Sequence, residues 1–162
     1  MGFLTSGDFM TRLTALLPLL AAAAVLAASP ARADRCDDLA RQLASQIDGL
    51  SIGRSAANVI YLAHPAAKQV RLGCAGRNVS NEFYAAADSR KPSPAFVNLV
   101  ASGAAIVFTI PKPDTLKGVS RCLGRMGIFR GDDVKLRYRR LDMRCTRSKT
   151  SVSIAISRGN DE

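Results

Sequence analysis

VKLRYRRLDMRC, residues 134–145, is the stretch whose reading decides the fold. Val134, Leu136 and Tyr138 share one parity, and Leu141, Met143 and Cys145 share the other. Lys135, Arg137, Asp142 and Arg144 fall between them. A period of two marks a strand buried on one side. A parity shift that keeps a single apolar face needs one extra residue, so the pattern predicts a β-bulge near Arg139-Arg140. Gly131-Asp132-Asp133 reads as the turn before it, and Thr146 to Thr150 as the hairpin loop after it. Val152, Ile154 and Ile156 then return along the core face, with Ser151, Ser153 and Ser157 opposite.

Upstream of this hairpin the period changes. From Ala95 to Ile110 there is no charged residue, and Ser93-Pro94 before it supplies an N-cap and a first-turn proline. A buried central helix is the favoured reading. A helix to Ser102 followed by a strand over 105–110 competes with it, because Gly103 and a β-branched cluster interrupt the run, and 104–110 stays open between helix and strand. The run's 16 residues fall short of the roughly 20 that span a bilayer. Pro111 and Pro113 end it. Asp114 is expected to cap a next helix whose apolar face is Leu116, Val119, Leu123 and Met126. Gly118 and Gly124 weaken that helix by about 1 kcal/mol each relative to alanine.

Toward the N-terminus, Ser80 to Ala87, Gln69 to Cys74 and Asn58 to Ala63 alternate as short strands, punctuated by Gly76-Arg77-Asn78 and His64-Pro65, and predict an antiparallel meander. A Gly-Ser-rich link up to Ser55 precedes them. Before it, Leu39, Leu43 and Ile47 recur every four residues, with acids in the first turn and Gly49 beyond the end, as in an amphipathic helix. The order helix, meander, two helices, hairpin gives a small α+β domain: one antiparallel sheet, meander plus C-terminal hairpin, covered on one side by two to three helices.

Leu13 to Ala28 is a run of Leu, Ala and Val between Arg12 and Ser29-Pro30-Ala31-Arg32-Ala33, which has the form of a small-x-small cleavage site. Residues 1–33 are therefore expected to be a cleaved secretory signal and 34–162 the single mature domain. Asp8 offsets Arg12, and a start at Met10 rather than Met1 gives a cleaner leader. No twin arginine is present in the leader, so the general secretory route to the periplasm or exterior is expected, with no transmembrane span in the mature chain. In that oxidising setting Cys36, Cys74, Cys122 and Cys145 read as two disulfides. Four cysteines admit three pairings; Cys36 with Cys74 and Cys122 with Cys145 is favoured, since each pair joins a helix to a strand nearby in sequence.

Residues 34–162 hold 21 basic and 12 acidic side chains, a net charge of +9. Residues 112–158 carry 13 basic and 4 acidic of these, so the basic character belongs to the C-terminal third. Lys117, Arg121 and Arg125 repeat at i, i+4 and i+8 on one helix edge, and Lys135, Arg137, Arg139, Arg140 and Arg144 lie on the polar side of the hairpin. These eight are the candidate binding residues, forming one patch if the hairpin packs beside the helix. Arginine's planar fork suits phosphate and carboxylate.

The catalytic inventory is thin. His64 is the only histidine and sits at a turn, Glu82 lies in an amphipathic run, and no nucleophile elbow, phosphate-cradling glycine series or metal-ligand spacing occurs. No cofactor is expected, and an enzyme is the less favoured class. The expected function is a non-catalytic, disulfide-stabilised exported domain that contacts an anionic envelope component through its basic face. Candidate ligands are anionic lipid, lipid A and acidic polysaccharide. An accessory or inhibitor subunit docking on an acidic partner protein is the alternative. Nucleic acid is disfavoured by export and by the scarcity of aromatics among the cations.

Overall fold

A computed structural model describes residues 31–76, 80–127 and 131–159. The expected signal segment up to Pro30, the Arg77-Asn78 turn and the tail beyond Gly159 lie outside the described residues. Three helices and seven strands follow in the order α1 (Ala31–Gln46), β1 (Ser51–Ala56), β2 (Val59–His64), β3 (Ala67–Gly73), β4 (Glu82–Ala87), α2 (Pro94–Phe108), α3 (Lys112–Arg125), β5 (Asp133–Tyr138), β6 (Leu141–Arg147) and β7 (Val152–Arg158).

The strands form one sheet in the order β1-β2-β3-β4-β7-β6-β5, antiparallel throughout. Two meanders meet where β4 pairs with β7, Phe83 opposite Ile156 and Ala85 opposite Ile154. Between them the chain leaves the sheet as α2 and α3 and returns at the far edge as β5. Alternation does what the sequence requires of it: Ile60, Leu62, Val70, Leu72, Phe83, Ala85, Leu141, Met143, Cys145, Val152, Ile154 and Ile156 are buried and join one core with Leu43, Phe96, Val100 and Val119 from the helices. No described element covers the other face of the sheet. The fold is therefore α+β, with helices on one side of an antiparallel sheet.

Close approach of helix to sheet depends on two glycines. A Cβ placed on Gly103 of α2 lies 2.2 Å from Cζ of Phe83, and one on Gly118 of α3 lies 2.7 Å from Cε of Met143. Gly103, which argued for a broken helix, instead lets an unbroken one lie on the β4 ring. Ser93 caps α2 by accepting the Phe96 N–H at 3.1 Å, and Arg158 donates to the carbonyl of Phe108 at the other end. Thr115 is fully buried, its hydroxyl 2.8 Å from the Ala101 carbonyl and 2.9 Å from that of Lys112, which ties α3 to α2. Disulfides Cys36–Cys74 and Cys122–Cys145 fasten α1 to the end of β3 and α3 to β6.

Three expectations are corrected. No bulge occurs at Arg139-Arg140: the chain reverses there in a two-residue turn with both residues at positive φ (51° and 62°), and Tyr138 pairs with Leu141. A reversal changes parity while keeping the face, as a bulge does, and Arg-Arg lacks the Asn-Gly signature that announces such turns. The link before Ser55 is the edge strand β1, joined to β2 by Ala57-Asn58 at φ 47° and 62°. Its six residues are all exposed, so no apolar alternation marks them. Asp114 does not cap α3, which begins at Lys112 with Pro111 as a cap that makes no side-chain bond. Asp114 sits in the first turn, 3.7 Å from Arg139.

Candidate functional site

The eight candidate cations do not lie on one plane. Cys145 faces α3 through its disulfide, so the alternate residues of β5 and β6, Lys135, Arg137, Asp142 and Arg144, point to the open face of the sheet. Lys117, Arg121 and Arg125 are exposed on α3, in the helical layer. Arg139 and Arg140 form the turn between β5 and β6. Yet the groups are neighbours around an edge. Arg121 stacks on Tyr138 of β5 at 5.3 Å, and Arg139 meets Asp114 at the start of α3, so this side of the helix runs along β5, the last strand of the sheet. The result is a cationic rim that wraps the β5 edge from the helical layer, over the turn, to the open face.

Electrostatics separates the rim's members. Arg144 grips Asp133 with two bonds, 3.0 Å from Nε and 2.5 Å from Nη2. That hydrogen bond is the main reason the Asp133 carboxyl sits below its ordinary value, with the nearby charges of Arg144 and Lys135 adding to it against partial desolvation; the same contact raises Arg144. Arg137 is cross-strand from Asp142. Asp114, Asp133 and Asp142 are thus all beside an arginine, while Lys117, Arg125, Lys135 and Arg140 make no ion pair among the described residues.

His64 has a local task. Its Nδ1 accepts the Ala66 N–H at 3.0 Å, which leaves the ring hydrogen on Nε2, 3.1 Å from the Asp48 carbonyl that accepts it. Both nitrogens are spent on joining the β2–β3 turn to the end of α1. Glu82 is exposed on the open face, opposite Ser157. Among the described residues no group of His, Cys, Asp and Glu is arranged to hold a metal ion, and no helix is long and apolar enough to cross a membrane.

Residues that the linear reading did not single out occupy the other half of the open face. Tyr61, Arg71 and Tyr84 are consecutive cross-strand neighbours on β2, β3 and β4. Arg71 stacks on Tyr84 at 4.0 Å, and Arg54, in the irregular stretch of β1, stacks on Tyr61 at 4.8 Å. Each of the three row residues had a visible signal, the polar position between two apolar ones (Ile60 and Leu62, Val70 and Leu72, Phe83 and Ala85). Strand order and register, which bring them together, are not written locally. Comparison with known proteins returns nothing: no family model, no curated protein and no solved structure matches this chain.

Proposed function

We propose that this chain is an exported, non-catalytic binding domain whose β5 rim contacts the anionic groups of the cell envelope, lipid headgroup phosphates foremost. The observation that carries the reading is that Lys117, Arg125, Lys135 and Arg140 are exposed and make no ion pair among the described residues, while every acid of the rim stands beside an arginine. Edge strands are commonly guarded by charge against pairing with other chains, and Lys135 alone meets that need. A helix row and a turn of further cations exceed it. Each basic side chain close to an anionic bilayer contributes about 1 kcal/mol, so the rim cations that reach the surface together give a salt-sensitive affinity. Two disulfides suit the oxidising compartment to which the leader directs the chain.

Co-sedimentation of the oxidised protein with phosphatidylglycerol and phosphatidylcholine vesicles over a salt series tests this. Binding confined to the anionic vesicles, lost as salt rises and lost in the double variant Lys117→Glu/Lys135→Glu with its circular dichroism intact, is the expected result. Binding that ignores salt, or that survives the charge reversal, refutes it.

A further inference from the structure

The unclaimed chemistry of the molecule lies on the open face between β1 and β7. One cross-strand row runs Tyr61, Arg71, Tyr84, Ala155, Arg144, Lys135, with Arg54 stacked at its β1 end. The next row runs Val59, Gly73, Glu82, Ser157, Asp142, Arg137. Between β4 and β6 the floor is built of small residues: Ala155 and Ser157 of β7 lie between the larger Glu82 and Tyr84 on one side and Asp142 and Arg144 on the other. The depression over them holds about 570 Å³ and is also lined by Lys135 and Arg137.

Arg71 is the residue that asks for an explanation. It is half-buried between two tyrosine neighbours, its Nε is fully buried without a hydrogen-bond partner, and no carboxylate among the described residues pairs with it. A cation stacked on an aromatic ring is held flat and partly compensated by the ring's quadrupole, but its fork remains uncommitted, and the planar fork is matched to a carboxylate. Arg54 repeats the arrangement two strands away, about 10 Å at the usual strand spacing. The surface therefore offers two ring-backed cations at a separation comparable to a disaccharide, followed by a shallow trough of serine hydroxyl and carboxylate acceptors.

We propose that this face binds an acidic polysaccharide, a chain of uronic acid residues lying across the strands, with a sugar carboxylate on Arg71 and hydroxyls hydrogen-bonded by Glu82, Asp142 and Ser157. A polyhydroxylated ligand that also carries carboxylates fits a surface that mixes both signs. A nucleic-acid strand has few free hydroxyls to offer Glu82, Asp142 and Ser157, so a polyhydroxylated sugar chain suits these acceptors better. This surface is separate from the helix row and turn of the rim and does not rest on the rim's activity.

The test is calorimetric titration of the oxidised protein with a galacturonic acid octamer, its methyl ester and a single-stranded oligodeoxythymidine, alongside Arg71→Gln, Arg54→Gln and Lys117→Glu/Arg125→Glu. The octamer is expected to bind and the ester not. Arg71→Gln weakens binding by about tenfold or more, as loss of a charge-assisted bond implies. Arg54→Gln, on an exposed edge strand whose substitution does not threaten folding, weakens it by a smaller factor, and the rim variant binds as the parent does. Ester binding equal to the acid, tighter binding of the oligodeoxythymidine, no binding of the octamer, or a loss seen only in the rim variant each overturns the proposal. The last of these leaves the rim reading standing.

Discussion

Gly103→Ala puts the helix–sheet contact to a severe test. The new methyl would stand 2.2 Å from Cζ of Phe83 and 2.6 Å from Cε1 and Cε2, where carbon atoms rest at about 3.5–4.0 Å. Something must therefore move by about 1.3 Å or more to restore that spacing. The ring cannot step aside, because Phe83 is fully buried on a strand paired on both sides, with Leu72 and Ile156 as its partners. Overpacking of this kind costs about 1–3 kcal/mol, and the lack of an escape route places it at the upper end. The better helix propensity of alanine returns about 1 kcal/mol. A net loss of about 2 kcal/mol is expected in urea denaturation, with a fall in Tm of roughly 5–10 °C for a domain of this size. Gly124→Ala is the internal control, since a Cβ at that position has nothing within 4 Å of it; it should stabilise by about 0.5–1 kcal/mol. Phe83→Leu in the Gly103→Ala background should recover part of the loss. Equal or greater stability of Gly103→Ala would refute the close approach of α2 to β4.

Thr115→Val keeps the shape of a buried side chain and removes its hydroxyl bond to α2, so stability should drop by about 1 kcal/mol in the same denaturation assay; no change would mean that bond contributes nothing. Arg144→Gln should raise the Asp133 pKa toward its ordinary value, read by carboxyl carbon NMR. Because the folded value is depressed, the pair's contribution is present above the unfolded carboxylate pKa and is lost as pH falls through the folded one, so the variant should also show a shallower acid loss of stability. Cys36→Ala/Cys74→Ala opens a link between residues 38 apart and should cost on the order of 4 kcal/mol in the chain-entropy model; a loss below about 1 kcal/mol would show that the core alone fixes α1.

Much of the architecture was legible because strong periodicity met clear punctuation. The β7 alternation, the Ser93-Pro94 start of α2 and the Leu39-Leu43-Ile47 stripe of α1 each reported a buried face directly. Turn residues misled where they lacked signature chemistry: Arg139-Arg140 and Ala57-Asn58 adopt positive φ without glycine, so one hairpin looked like a bulged strand and β1 like a linker. The candidate site was less legible for a different reason. Its eight cations were identifiable one by one, and alternation already put Lys135 and Arg137 on the side of the sheet away from the helices, but that β5 is the edge strand along which α3 runs follows only from strand order. Arg71 and its tyrosines stand well apart along the chain and become neighbours only through register.

The direct measurement of the rim's role is a nitrogen–proton correlation spectrum of the oxidised protein titrated with a short-chain phosphatidylglycerol at low salt. Shifts concentrated on Lys117, Arg121 and Arg125 of α3, on the Arg139-Arg140 turn and on Lys135, and reversed by added salt, are the predicted result. Shifts confined to β2–β4, or none at any lipid concentration, would contradict a binding role for the β5 edge and leave its charges as protection of an exposed strand.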